Sequence, residues 1–286
     1  MILVTGATGT TGREIVKQLV AKGVKVRAMV RNHTKAEDMA QLGVEIIEGD
    51  FDKPQTLDIA LKGVERALLL PANTLQQVEQ ETNFIEAAKR TGVRHIVKYS
   101  ARGADVNAAA NVTRWHGQTE KLLEESGIAY THLRPIFFMQ NLLSFANSIA
   151  KEGTFALPLK DAKIAVTDVR DIAAVAVAAL TEPGHEGKTY IITGAEALSM
   201  YEIADKLSAA IGKKVTYIDI EPEAFKQGLI ADGVPEWYAD DMVKLNAYNA
   251  TYEGAVVTNV VAEVIKKQPI TFDQFAQDYA YIFQAK

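Results

Sequence analysis

Residues 1–20 read MILVTGATGTTGREIVKQLV, and inside them Gly6, Gly9 and Gly12 stand three residues apart. The apolar run ILVT at 2–5 precedes these glycines directly. A helix-period segment with Ile15, Val16, Leu19 and Val20 on one face follows them. Missing β-carbons let such a turn be tight and let its backbone approach a pyrophosphate, while the opening helix offers free amides and a positive dipole end. Thr8, Thr10 and Thr11 add hydroxyl donors. The bland alternative is an ordinary strand-to-helix turn in an unrelated α/β protein. The position after a strand and before a helix favours nucleotide binding. The run lacks the Lys-Ser/Thr end of a P-loop, so a dinucleotide is expected rather than a triphosphate.

Outward from this turn, short β-rich runs alternate with helical-period segments. KVRAMV (25–30) leads to a short polar helix near 34–41, VEIIEG (44–49) to one at 54–61, RALLL (66–70) to one at 75–91, and HIVKYS (95–100) to one at 110–126, before AYTHLRP (129–135). This alternation predicts an α/β protein with a Rossmann-type, doubly wound parallel sheet, whose functional residues gather after the carboxyl ends of the strands. After the second strand, an NAD-binding chain usually carries an acidic residue for the adenosine ribose. Here Arg31 stands instead, with Asn32, His33 and Lys35 beside it. A guanidinium there suits a 2′-phosphate, so NADP(H) is expected over NAD(H), the alternative being a solvated basic loop. After the third strand, Asp50 is placed to accept from the adenine amino group and Phe51 to cover its face, unless Asp50 only leads the next helix. After the fourth, Leu70, Pro71 and Ala72 form an apolar wall beside ribose and pyrophosphate, with Asn73 as a polar partner.

Beyond Pro135 the alternation loosens. A helix is expected around 137–151, then the turn-rich KEGTFALPLKDAK (151–163), a helix opened by Asp168 with Asp171 and Arg170 in structural roles, and a last sheet strand TYIITG (189–194). Ser199 with Glu202 and Thr271 with Gln274 have capping-box spacing. Residues 1–135 and about 163–194 read as an NAD(P)-binding Rossmann domain, and about 136–162 with 195–286 as a smaller, mainly helical substrate region, with a crevice between them for the substrate. Trp115 and Trp237 read as junction packing.

Composition narrows the function. Hydrophobic residues make up 48% of the 286 and charged residues 23%, an ordinary globular balance. A net charge of -5 without a Lys/Arg run offers nothing to a phosphate backbone, so no nucleic-acid partner is expected. There is no cysteine, and His33, His95, His132 and His185 are scattered, so no metal is expected. The chain shows no leader pattern and no long apolar run, which points to no membrane partner and a cytoplasmic location.

The assembled motifs resemble the atypical short-chain dehydrogenases/reductases, most closely their NmrA-like branch with its quinone and triphenylmethane-dye or azo-dye reductases. The resemblance rests on TGATGTTG (5–12), VRN (30–32), GDF (49–51), HIVKYSARGAD (95–105), HGQTEKLLEESGIAYTHLRP (116–135) and VTDVRDIA (166–173). It implies hydride transfer from NADPH to a small conjugated acceptor such as a quinone or dye. It also implies that Tyr99, Ser100 and Pro135 lie beside the nicotinamide. The wider family uses a Tyr-x-x-x-Lys pair as acid; His116 and Glu120 stand in those positions here. Three readings of them stay open: His116 as proton donor held by Glu120, a weak metal pair, or a surface helix pair without chemistry. Ser100 is a second catalytic candidate. Phe137, Phe138 and Met139, with Asn141 as polar contact, form the candidate acceptor slot, although such residues are as often core. The branch also holds non-catalytic NAD(P) sensors acting through a protein partner, which is the alternative function. A monomer or homodimer is expected.

Overall fold

The structure, a computed structural model, describes residues 1–284. The last two positions of the expected 195–286 region lie outside the described residues. Among the described residues nine strands are present: β1 Ile2–Val4, β2 Val26–Val30, β3 Glu45–Glu48, β4 Arg66–Leu69, β5 His95–Tyr99, β6 Ala129–Pro135, β7 Thr154–Leu157, β8 Lys188–Ile192 and β9 Thr216–Asp219. The principal helices are α1 Thr10–Ala21, α2 Glu37–Gln41, α3 Pro54–Leu61, α4 Gln77–Thr91, α5 Asn111–Glu125, α6 Ala146–Glu152, α7 Val169–Thr181 and α8 Met200–Ile211.

Seven strands form one sheet in the order β3-β2-β1-β4-β5-β6-β8. The order reverses between β1 and β4, where β2 and β4 lie on opposite sides of β1, both parallel to it. That reversal is the topological switch point at which open α/β sheets bind ligands. The sheet is the Rossmann-type α/β fold expected from the alternation of elements.

The chain divides into two compact units. The first comprises residues 1–108, 112–134 and 172–191 and holds the sheet. One of its core clusters joins Leu3, Met29, Leu57, Leu69, Phe84, Ile96 and Leu123. Strands buried on both faces need near-continuous apolar runs, which is why ILV and RALL lack the alternation of a half-exposed strand. The second unit comprises 109–111, 135–171 and the chain from Ile192 on. It contains α8 and the parallel β7/β9 pair, where Phe155 and Tyr217 meet with ring centroids 5.5 Å apart. Both capping positions hold: Glu202 N donates to Ser199 Oγ at 3.2 Å and Ser199 N to Glu202 Oε2 at 2.8 Å, while Gln274 N donates to Thr271 Oγ1 at 3.2 Å.

Two element expectations need correction. The helix around 137–151 does not begin at Phe137. The chain stays extended after Pro135, with Thr167 N donating to Phe137 O at 3.0 Å and Met139 N to Thr167 O at 2.9 Å; a 3-10 turn at Met139–Phe145 then leads into α6. The last sheet strand ends at Ile192 rather than residue 194, because Thr193 turns its hydroxyl to Thr258 N at 2.9 Å and Gly194 passes against the Val166 backbone.

At the switch point one hydroxyl stitches two strands. Thr5 Oγ1 lies 3.0 Å from Leu68 O and 3.2 Å from Leu70 O, and accepts from Leu70 N at 2.8 Å. Thr5→Val keeps the shape and removes these bonds, leaving the partly buried Leu70 amide without this partner. A loss of about 1–3 kcal/mol in urea unfolding is expected.

Candidate active site

The three glycines serve three physical ends. Gly6 adopts φ +60, and a Cβ there would lie 2.5 Å from Leu70 Cδ2 and 2.9 Å from Leu70 O, so both conformation and space exclude a side chain. A Cβ on Gly12 would lie 2.2 Å from Gly6 O, because the first turn of α1 is packed on the loop itself. Gly9 differs: its Cβ would meet only Gly6 O, at 3.4 Å. It caps α1 with extended backbone and is exposed. The turn is therefore closed on its inner side and open at Gly9, where a phosphate would find the free amides of α1. Thr8 and Thr10 are half-buried and exposed, whereas Thr11 is buried beside the Tyr99 hydroxyl.

Arg31, Asn32 and Lys35 are all exposed in the loop after β2. Asn32 spends its side-chain oxygen on capping, accepting from Thr34 N at 2.9 Å and Thr34 Oγ1 at 2.8 Å. Sequence reading missed Arg13, the residue after the third glycine. Its Nε donates to Thr8 O at 3.2 Å, one terminal nitrogen donates to Lys35 O at 2.8 Å, and the other pairs with Asp38. Arg13 thus straps the glycine turn to the loop that carries Arg31, beside a cleft of about 610 Å³ lined by Thr8, Arg13, Thr34, Lys35 and Asp38.

Asp50 accepts from Asp52 N at 3.1 Å and lies 3.9 Å from Lys53 Nζ, an Asx turn leading into α3. Phe51 meets Phe84 edge-on at 5.7 Å and is half-buried. Leu70 closes on Gly6, Pro71 is half-buried, and Ala72 and Asn73 are exposed.

The end of β5 is the most enclosed part of the site. Tyr99 is buried and its phenol is pushed above its ordinary range by desolvation. Ser100 is 2% exposed, and its Oγ has no hydrogen-bond partner among the described residues. An orphaned hydroxyl at the carboxyl end of the central strand is what a bound ligand would satisfy.

His116 and Glu120 are not a surface pair: both are buried. Nor does Glu120 hold His116. Glu120 is paired with Arg134, whose Nε donates to Glu120 Oε1 at 3.0 Å. His116 turns the other way, its Nδ1 3.3 Å from Lys98 Nζ and 3.3 Å from Gln77 Nε2. Burial first, then the charges of Lys98 and Arg134, hold its pKa well below the ordinary imidazole value. Gly117 is required here too, since a Cβ would lie 2.4 Å from the Asp105 carbonyl carbon in the loop crossing α5. Among the described residues, no group of three His, Asp or Glu side chains gathers as a metal set.

In the second unit, Met139 is 2% exposed and belongs to the core, with Phe137 packed against it from a half-buried position. Phe138 is half-buried, Asn141 exposed and Pro135 buried. Asp168 caps α7 by accepting from Arg170 N at 2.8 Å, and Arg170 bridges it to Asp278 at 2.6 Å.

The profile of the NmrA-like family matches residues 1–276. The chain belongs to the NmrA-like family. Over 285 residues, all of both chains, it is 41% identical to an NAD(P)H azoreductase of Xenophilus azovorans. The NADPH-dependent quinone oxidoreductase QOR2 of Escherichia coli, solved with NADPH, superposes with a TM-score of 0.88 at 31% identity, over 97% of this chain and 99% of that one. Triphenylmethane reductase of Citrobacter sp., solved with NADP(H), gives 0.87 at 27% identity over 98% and 100%. The residues of this NmrA-like chain fit a dinucleotide on their own geometry: a turn open only at Gly9, a basic loop after β2, and an orphaned Ser100 hydroxyl at the end of β5. Among the described residues no helix is long and apolar enough to cross a membrane.

Four buried imidazoles are expected to make this NmrA-like protein acid-labile. Desolvation above all lowers His116, His132, His185 and His95, the last to about 4. Each binds a proton in the unfolded chain below about pH 6.5 that the folded chain refuses, so its stability is complete above that pH and lost on acidification. Asp171, raised to about 6 by burial, runs oppositely, since the folded carboxyl takes its proton first. Four groups outweigh one. The urea midpoint is expected to fall between pH 7 and pH 5, and His95→Gln should flatten the fall by up to about 1.4 kcal/mol per pH unit.

Proposed function

We propose that the chain is an NADPH-dependent reductase that passes hydride to a small conjugated acceptor, a quinone or an azo or triphenylmethane dye. The observation that carries this reading is the full-length match to an NAD(P)H azoreductase by a chain whose glycine turn leaves space at Gly9 alone. Residues 1–135 with about 163–194 take the cofactor, and about 136–162 with the chain from 195 on meets the acceptor.

In this assignment Gly6, Gly9 and Gly12 bring backbone amides to the pyrophosphate, with Thr8 and Thr10 as hydroxyl donors. Arg31, Asn32 and Lys35 meet the 2′-phosphate. Asp50 and Phe51 meet the adenine, and Leu70, Pro71, Ala72 and Asn73 flank the ribose. Tyr99, Ser100 and Pro135 border the nicotinamide. Bound NADPH supplies the hydride. A quinone or dye spreads the incoming electrons over its own conjugated system, so it needs little help from an acid and mainly requires proximity and an apolar contact. Phe137 and Phe138 are the side chains offered for that contact. Met139 supports them from the core, and Asn141 supplies a polar group.

Two experiments test this. NADPH consumption measured with benzoquinones, naphthoquinones and azo dyes should show turnover that Gly9→Ala weakens by at least about tenfold while leaving the urea midpoint near wild type. Tight NADPH binding without turnover on any acceptor would overturn the reductase reading in favour of a sensor. Arg31→Ala should raise the Kd for NADPH about tenfold and leave NADH unchanged, as the loss of one charge-assisted contact to phosphate requires.

A further inference from the structure

Lys98 and Glu81 form an ion pair with both side chains at 0% exposure, one on the central strand β5 and the other on α4. Removing two such charges from water costs several kcal/mol per ion, and well-packed apolar side chains of similar volume generally serve stability as well. The pair therefore calls for a reason other than holding helix to sheet. Its hydrogen bonds supply one. Glu81 is fully engaged: Oε2 by Lys98, and Oε1 by Gln77 Nε2 at 3.0 Å and Thr119 Oγ1 at 3.3 Å. Lys98 Nζ and Gln77 Nε2 also converge on a single further atom, His116 Nδ1, at 3.3 Å each. An ammonium and an amide NH₂ can only donate, so Nδ1 must present its lone pair, and the single ring proton of a neutral imidazole must sit on Nε2.

We propose that Glu81, Lys98 and Gln77 are positioning residues that lock His116 as a neutral, Nε2-protonated imidazole, a hydrogen-bond donor for a carbonyl or azo lone pair of the acceptor, an assignment that rests on the reductase reading. His116 then orients the acceptor without acting as its acid. The charges facing it agree. Lys98 from β5 and Arg134 from β6 both oppose a second ring proton, while the carboxylates of Glu81 and Glu120 are already paired with Lys98 and Arg134, and Glu124 is taken up by a hydrogen bond with His132 at 3.1 Å. Burial acts in the same direction. Giving up Nε2–H would create an imidazolate, so the proton must come from elsewhere. The hydride brings two electrons and one proton to the acceptor, and water supplies the second proton.

The test is ¹⁵N NMR of histidine-labelled full-length protein from about pH 5 to about pH 9, with His116 assigned from His116→Gln. The expected result is one Nε2–H signature that does not titrate. A titration near the ordinary imidazole value, or an Nδ1–H tautomer, overturns the assignment whether or not the protein turns over a quinone. Lys98→Met leaves the Glu81 carboxylate facing the ring and should make His116 titrate within that window. If that variant fails to fold, Glu81→Gln/Lys98→Met removes both charges and should leave a mixture of tautomers. In turnover, His116→Leu should lower kcat/KM at least about tenfold, and His116→Gln, which keeps an N–H donor, should recover most of that loss. Equal losses in the two variants would mark His116 as the acid and overturn the proposal. Absence of turnover on every acceptor would remove the reductase reading, with the tautomer still decided by the spectrum.

Discussion

The close approach of Leu70 to Gly6 is the constraint on which the rest of the site depends. Two parallel strands, β1 and β4, end side by side, and the chain leaving β1 must turn within the space that β4 allows. Only a left-handed glycine clears Leu70, and the Thr5 hydroxyl bonded to both strand ends holds the turn in place. Gly12 then seats α1 on the Gly6 carbonyl, which sets where the helix begins and where its free amides point. The shape of the proposed phosphate cradle is thus a consequence of strand packing, and the open side at Gly9 is what remains after the Gly6 and Gly12 sides are filled. Arg13 extends the same order outward by joining the turn to the basic loop after β2.

A comparable economy governs α5. The loop crossing it lies so close that position 117 must be glycine, and the neighbouring side chains on that helix are buried among charges rather than facing water. Burial of Lys98, Glu81 and Glu120 is tolerable because each ion has its counter-ion, the half-buried Arg134 serving Glu120, and further donors or acceptors. The chemical consequence is local. An imidazole facing Lys98 and Arg134 in a dry environment is held well below its ordinary pKa, which disfavours proton donation of the Tyr-Lys kind from this position and suits an acceptor that tolerates its absence.

Much of this was legible in the chain. The glycine turn, the order of strand and helix units through Pro135 and the capping residues Ser199 and Asp168 follow from residue type and spacing, and the absence of the Tyr-x-x-x-Lys pair from the family resemblance. Other features were out of reach because they depend on partners far apart in sequence. Lys98 in HIVKYS was a visible signal, a lysine in a strand buried on both faces, yet Glu81 and Gln77 as its companions require α4 to be packed on β5. Arg134 claims Glu120 from 14 residues away, against the i, i+4 expectation that Glu120 would hold His116. The start of the helix after Pro135 was misplaced because the extended pairing of Phe137 and Met139 with Thr167 is a long-range bond that outweighs local helix preference.

By itself, the sequence determined the class of fold and the kind of ligand, since hydrophobic period, glycine spacing and a basic residue after the second strand are local properties that survive any detail of packing. Only the tertiary structure decided what His116 is. Its protonation and direction are set by desolvation and by charges on two strands and a second helix, and such electrostatic terms exist only once those elements have closed around it.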